Sequence, residues 1–302
     1  MSFDLHFCWR KVERINFEEV KSWALQQKCF SCKHAQLWYA NPQTGVYFSF
    51  NFEAPESPED APRITGGYFD SGLSFNLNYN RPSYFGLEAL PVVETLAARF
   101  ALSVFDPQAV GDEPKLLTDV RSESLVQSWL KHNRWATLAL AANEKSSKLL
   151  RMAPSASLYL WKYRRAKDAL QEKCGDGIFV PSLVPVRKKG STSVGRAFTY
   201  TQGLPMIVPE SEWIFIVTRK KGFFLPKKEQ DVAVISAETF RARLVGCIKA
   251  YLWPDPSVEI VGPESAEKAG KFIQSIDHTI ARSEFEIIGA DGFVDVEMPD
   301  GK

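Results

Sequence analysis

Two cysteines two residues apart are the first feature of this sequence that could carry chemistry. Cys29 and Cys32 are followed by His34, and thiolates at this spacing can chelate zinc or cycle through a disulfide. A zinc site usually draws on a second well-spaced pair, and a redox Cys-x-x-Cys follows a strand and opens a helix. This motif lies where the first predicted helix ends. We therefore expect ordinary thiols, no metal and no other cofactor, with Cys29, Cys32 and His34 as the alternative metal site.

Nucleophilic catalysis and phosphate binding lack their usual motifs. The chain has no Gly-x-Ser-x-Gly elbow, and its four histidines stand in no recognisable triad context. Seven residues separate Gly262 from Gly270, where a P-loop needs four, and no Gly-x-Gly-x-x-Gly fingerprint is present. The sequence therefore nominates no catalytic residue. An enzyme whose site is assembled from distant parts of the chain stays an alternative.

Positive charge is concentrated in the middle of the chain. Residues 151–230 contain 15 Lys and Arg against 6 Asp and Glu, although the formal net charge of the whole chain is only +1. Cations interleaved with aromatic residues could hold phosphates and stack bases, and the alternative is a set of solvated loops that join buried strands. The candidate binding residues of this region are Arg164, Arg165, Lys220, Lys221, Lys227 and Lys228.

Three asparagines two residues apart form the second candidate binding feature. Asn76, Asn78 and Asn80 alternate with apolar residues in a strand predicted over 73–80, and Arg81 follows them. Because successive side chains of a strand point to opposite faces, we expect the three amides on one face. This row could bind a partner's loop or a polar ligand, or it could be the solvated face of a half-buried sheet.

The first half of the chain predicts strands in close succession. Asn16 and Glu19 form a capping box that opens a helix ending near Lys28. Further helices are predicted over 91–100 and from about Ser122. Period-two alternation and turn signals predict the strands 3–9, 37–39, 46–52, 73–80 and 102–105.

The second half predicts a similar mixture. Helices are expected over 155–173, 237–250 and 264–282, with Ser155 as the cap of the first. A final hairpin is expected between 285–288 and 293–296. Other predicted strands are 178–180, 194–200, 213–217, 232–235 and 258–261. Since strands often follow strands, the predicted class is α+β, with mainly antiparallel or mixed sheets flanked by helices.

The clearest candidate for a domain boundary is the segment 144–156, which is rich in polar residues and includes Pro154. It predicts an N-terminal α+β half, 1–150, and a C-terminal α+β half, 151–302, that carries the basic surface. One compact unit is the alternative.

The sequence has few of the features that mark membrane or secreted proteins. No apolar run approaches the roughly 18 residues that a membrane helix needs, and residues 1–6 do not begin a secretory leader. Five cysteines form an odd and sparse set. We expect a soluble cytoplasmic protein with no membrane partner.

These observations favour a non-catalytic protein that binds a partner protein and neutralises or regulates it, as immunity and inhibitor proteins do. The hypothesis depends on the missing catalytic motifs and on the asparagine row. Binding of nucleic acid or a phospholigand through 151–230 is the first alternative, and an enzyme is the second.

Overall fold

The chain forms two compact units in the computed structural model. The structure describes residues 1–10, 15–53, 62–64, 66–109, 114–142, 149–217, 232–276 and 279–297. Unit 1 comprises Met1–Leu149 and Val294–Lys302, and unit 2 comprises Leu150–Phe293. Unit 2 is thus an insertion in the sequence of unit 1. Whether the two predicted halves are separate domains stays a prediction.

The α+β class is confirmed, because the described residues form six helices and 16 strands in antiparallel and mixed sheets. Among the described helices, none combines the length and the apolar composition needed to span a bilayer. The compartment stays a prediction.

Unit 1 is built on one antiparallel sheet of seven strands, in the order β2-β3-β4-β5-β1-β6-β7. Its helices are α1 (Phe17–Leu25), α2 (Tyr84–Arg99) and α3 (Ser122–Ala141). Its strands are β1 (Ser2–Trp9), β2 (Phe30–Lys33), β3 (Gln36–Ala40), β4 (Tyr47–Phe52), β5 (Phe69–Asn78), β6 (Ser103–Asp106) and β7 (Lys115–Leu117).

Aromatic side chains cover one face of this sheet, which we call the aromatic face. Its fully buried members are Phe3, Phe7, Phe48, Phe50 and Phe75. All three helices contact this face: Phe17 of α1 stacks on Phe52 at 4.9 Å, Glu88 of α2 bonds Tyr39, and the His132 ring of α3 lies 6.0 Å from Phe3. The described helices of unit 1 therefore shield one face of the sheet and leave the other for solvent or a partner.

Most predicted elements of unit 1 are confirmed, including the Asn16 cap, whose side chain accepts a hydrogen bond from the Glu18 backbone. Helix α2 begins at Tyr84 instead of Pro91, so Pro91 lies inside it. A tertiary contact supports this early start. The backbone N–H and hydroxyl of Ser83 both donate to Oδ1 of Asp295, at 2.8 Å each, so residues from the far end of the chain cap α2.

A buried carboxylate ties the β3–β4 turn to α2. Oε1 of Glu88 accepts hydrogen bonds from the Tyr39 hydroxyl at 2.8 Å, the Asn41 amide at 2.7 Å and the Thr44 hydroxyl at 2.9 Å. Glu88 is only 9% exposed, so these donors replace the water that its carboxylate loses. Burial, and then the negative charge of Glu88, raise the pKa of Tyr39 well above its ordinary value.

Unit 2 contains a six-stranded sheet, β15-β12-β11-β9-β8-β16, and a three-stranded sheet, β10-β14-β13. Its helices are α4 (Pro154–Cys174), α5 (Ala237–Arg243) and α6 (Pro263–Gln274). Its strands are β8 (Val184–Lys188), β9 (Val194–Thr201), β10 (Met206–Val208), β11 (Trp213–Val217), β12 (Ala233–Ser236), β13 (Ile248–Tyr251), β14 (Val258–Val261), β15 (Ile280–Ala281) and β16 (Phe285–Ile287). Strands β9 and β11 pair in parallel, and all the other described strand pairs are antiparallel.

Two predicted helices of unit 2 are too long. Helix α5 ends at Arg243, residues 244–247 form a turn, and the last three residues of the predicted 237–250 helix belong to β13, which pairs with β14. Helix α6 ends at Gln274. Helix α4 is confirmed, but Pro154 occupies its first turn after Ala153 as the cap, so Ser155 is not the capping residue.

One predicted hairpin and one predicted strand of unit 2 are also wrong. The segment 285–288 does not form a hairpin with 293–296, because β16 pairs with β8, about 100 residues earlier in the chain. The segment 178–180 forms no strand and contributes a single bridge, between Phe179 and Met206. In both cases a partner distant in sequence decides the pairing.

The crossing of α2 and α3 depends on a glycine. A methyl group added at Gly86 would lie 2.5 Å from Cε3 of Trp129, which is fully buried. We expect Gly86→Ala to destabilise the protein by about 1–3 kcal/mol, because a closely packed ring has no free space to move into. Urea unfolding followed by circular dichroism measures this loss.

The control for this prediction is Gly177→Ala, whose added methyl group would meet nothing within 4 Å. We expect it to change the free energy of unfolding by less than about 0.5 kcal/mol. Equal unfolding midpoints for the two variants would show that α2 and α3 can move apart without a loss of stability.

Candidate functional site

The face of the unit 1 sheet opposite the aromatic face is lined mainly by polar side chains. Strand register places Trp38, Ser49, Asn76 and Asp4 in one row across four strands. A second row runs beside it from β2 to β7. We call this surface the polar face, and its members are Ser2, Asp4, His6, Ser31, Lys33, Gln36, Trp38, Ser49, Asn51, Ser74, Asn76, Asn78, Phe105 and Leu116.

Asp4 is the centre of one hydrogen-bond network on the polar face. Its Oδ1 accepts from the Asn76 amide at 2.5 Å, and its Oδ2 accepts from the Ser2 hydroxyl at 2.8 Å. The Asp4 backbone N–H donates to Oε1 of Gln108 at 2.9 Å. These bonds fix the side chains of two neighbouring strands in one orientation.

Trp38 presents the largest aromatic surface of the polar face. It is 40% exposed, although its indole N–H donates to Oε1 of Gln36 at 2.7 Å. The Gln36 amide in turn donates to Oδ1 of Asn51 on the next strand. An exposed tryptophan whose orientation is held by a neighbour loses little conformational freedom when a partner covers it.

A bulge in β5 brings a histidine and a carboxylate together on the same side. The pairing of β1 with β5 shifts between His6, which faces Ser74, and Cys8, which faces Asp70. Gly72 occupies the bulge with φ 75°, a conformation that favours glycine, and donates its N–H to Oδ1 of Asp70 at 2.8 Å. As a result, Oδ2 of Asp70 lies 3.3 Å from Nδ1 of His6.

The His6–Asp70 pair shifts the titration of the imidazole. The hydrogen bond that the His6 ring donates to Asp70 raises the pKa of His6 above its ordinary 6.5, burial opposes that rise, and the charges of Asp70 and Asp4 add to it. His6 keeps 40% of its side-chain surface exposed, so a bound partner could reach it.

The charges of this surface are few: two carboxylates face one lysine, and His6 is a second cation when it is protonated. Asp4 and Asp70 are carboxylates, and among its described members Lys33 at the edge is the cation besides a protonated His6. A surface that binds nucleic acid needs several cations for the phosphates. The polar face instead suits a partner that presents hydrogen-bond donors and positive charge.

Two of the three predicted asparagines lie on the polar face. Asn76 and Asn78 do, whereas β5 ends at Asn78 and Asn80 takes φ 59° in the loop beyond. The expectation that Asn80 continues the row is therefore wrong. The fully buried Asn133 of α3 causes the turn, because its Oδ1 accepts the Asn80 N–H at 2.7 Å.

Arg81, in the same loop, makes hydrogen bonds to neighbouring elements. Its Nη2 and Nε donate to the Tyr47 hydroxyl at 2.8 and 3.1 Å, and its backbone carbonyl accepts from the Asn133 amide at 2.8 Å. Arg81 thus joins the loop to β4 and α3. Its predicted role in binding stays a prediction.

Two described candidates of the basic region, Arg164 and Arg165, contact groups of unit 2. Arg164 donates to the Leu183 carbonyl at 3.0 Å, and the Arg165 guanidinium lies 4.7 Å from the ring centre of Trp161. Lys220, Lys221, Lys227 and Lys228 lie outside the described residues.

Several neighbouring cations of unit 2 are paired with carboxylates. Their ion pairs are Lys162–Asp255 at 2.8 Å, Arg187–Glu286 at 2.7 Å, Lys188–Glu284 at 3.4 Å and Arg196–Glu212 at 2.7 Å. Their partner carboxylates reduce the positive field that residues 151–217 present to solvent.

The cysteine motif has the geometry of a strand. Cys29 has φ 74° just before β2, Cys32 points to the aromatic side of β2, and His34 has φ 55° in the turn that follows. All five cysteines are free. Within the described part of the chain, no three His, Cys, Asp or Glu side chains are grouped so as to hold a metal ion. The motif also opens a strand, where a redox motif of the thioredoxin type would open a helix.

Sequence reasoning missed the pairing of His6 with Asp70. The alternation in β1 places His6 beside Asp4, and this signal was available. Nothing in the sequence indicates that a bulge at Gly72 turns Asp70 towards the same ring, because the bulge depends on the pairing of β5 with β1.

The His6–Asp70 pair predicts a measurable change in titration. We expect Asp70→Asn to lower the pKa of His6, because the negative charge is lost while burial of the ring remains. The amide introduced by this substitution would keep an oxygen for the Gly72 N–H. The pKa is measured from the His6 ring protons by NMR across the pH range. Asp4→Asn is the control, and we expect it to lower the pKa less, since Asp4 acts on His6 through its charge alone.

The His6–Asp70 pair also predicts how the stability of the protein changes with pH. Since the folded pKa of His6 lies above 6.5, the stabilisation from its protonation is complete below pH 6.5 and is lost as pH rises through the folded pKa. The stability advantage of the unmutated protein over Asp70→Asn should therefore be larger on the acidic side. An advantage that grows with pH over this window would contradict the assignment.

No family model matches the chain, and comparison with the curated proteins and with the solved structures found no match to either.

Proposed function

We propose that this protein binds a partner protein through the polar face of unit 1 and thereby neutralises or regulates that partner. The observation that carries the proposal is Trp38, a half-exposed aromatic side chain on β3, the second strand from one edge of the hydrogen-bonded polar face. Tryptophan is among the residues most enriched at the energetic centres of protein interfaces.

The polar face offers apolar side chains towards both edges of the sheet and hydrogen-bonding groups between them. Trp38, Phe105 and Leu116 supply apolar surface, while Gln36, Asn51 and their neighbours supply amide donors and acceptors. The bonds within each network hold these groups before any partner arrives. Such preorganisation lowers the conformational entropy lost on binding.

The charges favour a partner of a particular kind. When His6 is neutral, Asp4 and Asp70 outnumber Lys33 and make the polar face mildly acidic, so a complementary surface would present lysine or arginine together with amide groups. A nucleic-acid backbone is negatively charged and instead requires cations on the protein surface. We therefore place the protein partner ahead of the nucleic-acid alternative.

The test compares two exposed tryptophans of the same unit. Trp38 lies on the polar face, and Trp135, 64% exposed, lies on α3, which packs on the aromatic face. Tagged unmutated protein and the Trp38→Ala and Trp135→Ala variants are used to recover partners from the native cells at moderate and high salt. We expect one stoichiometric protein that Trp38→Ala binds at least about 10-fold more weakly, as loss of an aromatic interface anchor implies.

Trp135→Ala should retain the partner with unchanged affinity, because its side chain lies on the other side of the sheet. Equal retention by both variants would remove the polar face from the proposal. Recovery of nucleic acid that is released at high salt would move the function to the basic region. Failure to retain any protein would count against a binding role altogether.

A further inference from the structure

A cavity of about 350 Å³ lies on the three-stranded sheet of unit 2. Strand register places Val208, Glu259 and Ala250 in one row across β10, β14 and β13, so their side chains share a face. Arg241 from α5 also lines the cavity. Its remaining lining residues are Glu210, Ser257 and Val258. The volume is within the range of cavities that hold small molecules.

The half-buried Tyr159 joins two walls of this cavity by hydrogen bonds. The Tyr159 hydroxyl donates to the Ser257 carbonyl at 2.8 Å and accepts the Glu210 backbone N–H at 2.9 Å. Burial raises the pKa of Tyr159 to about 12, so the hydroxyl stays protonated and keeps its donor. The segments that carry Ser257 and Glu210 are therefore held at fixed positions.

A buried arginine orients the Glu210 carboxylate. The Arg196 side chain is 3% exposed, its guanidinium lies 4.9 Å from the Tyr159 ring centre, and its Nη2 donates to Oε1 of Glu210 at 2.9 Å. Burial alone would lower the pKa of Arg196, but hydrogen bonds and charge from Glu212 and Glu210 outweigh it and raise the pKa. Only Oε1 of Glu210 has a described partner, and the side chain is 57% exposed. Its second oxygen is thus available to a ligand.

Arg241 offers the opposite charge with unused donors. Its Nε donates to Oε2 of Glu259 at 3.0 Å, and among the described residues its two Nη groups have no partner. A guanidinium can bind a carboxylate through two parallel hydrogen bonds. One cavity therefore combines an accessible cationic donor and an accessible carboxylate, with the exposed Ala250 as its accessible apolar side chain.

From this arrangement we infer that the cavity is a binding site for a small zwitterion of the amino-acid class. The ligand's ammonium group lies on Glu210 and its carboxylate on the Nη groups of Arg241. A ligand with both charges satisfies both groups, whereas a simple amine or a simple acid leaves one of them unpaired. The site belongs to unit 2 and is independent of the polar face.

The test uses L-leucine as the probe, with two analogues that each lack one charge. Isoamylamine lacks the carboxylate, and isocaproate lacks the ammonium group. Isothermal titration calorimetry with the full chain measures the three affinities. We expect saturable binding of leucine, and binding of each analogue at least about 10-fold more weakly, since each loses a charge-assisted contact.

Two variants connect the binding to the named side chains. Glu210→Gln keeps an oxygen for Arg196 and removes the charge, and Arg241→Lys keeps the charge beside Glu259 and removes the Nη pair. We expect each to weaken leucine binding about 10-fold without a change in melting temperature. Glu264→Gln is the matched control, because it removes an exposed carboxylate paired with Lys249 outside the cavity lining.

Leucine affinity that falls in both cavity variants and not in Glu264→Gln supports the site. The inference is overturned if the unmutated protein shows no saturable leucine binding, or if isoamylamine binds as tightly as leucine, which would indicate a plain cation site. Equal weakening by all three variants would likewise overturn it.

Discussion

Packing of phenylalanines on one face of the seven-stranded sheet is the interaction on which unit 1 depends. Phe3, Phe48, Phe50 and Phe75 are buried almost completely, and each contributes about 1.5–3 kcal/mol relative to an exposed side chain. Because side chains alternate along a strand, burying these rings turns the intervening polar residues to the opposite face. The polar face is therefore a direct consequence of the core. A slip of one residue in register would exchange the two faces, which makes the register strongly specified.

Loops and helices are attached to this sheet by buried polar contacts. Glu88 holds the β3–β4 turn, Asn133 holds the loop after β5, and Asp295 caps α2. Removing a polar group from water is unfavourable unless it finds partners, so each of these residues favours one arrangement and disfavours the alternatives. The same principle operates in unit 2, where Arg196 is buried with two glutamates and a tyrosine ring. These contacts give fixed positions to the groups on which both proposed binding surfaces depend.

The two proposed surfaces differ in the kind of recognition that they permit. The polar face is broad, and its networks connect strands, so it can meet another folded surface with many weak contacts. The cavity beside Arg241 is small and contains both signs of charge, so it can hold a ligand of defined size and polarity. They lie in different units, and either could function without the other.

The sequence by itself determined the elements whose signal is local. Alternation predicted β1, β3 and β4, the Asn16 cap predicted α1, and the row at Asn76 and Asn78 was found from period two alone. Only the tertiary structure decided the features that depend on distant partners: the pairing of β16 with β8, the β13 strand within a predicted helix, the turn at Asn80 and the approach of Asp70 to His6. Local propensity is worth tenths of a kcal/mol for each residue, whereas a strand pairing or a buried hydrogen bond outweighs it once the chain is folded. Sites assembled from separate elements, such as Glu210 with Arg241, therefore leave no pattern in the linear sequence.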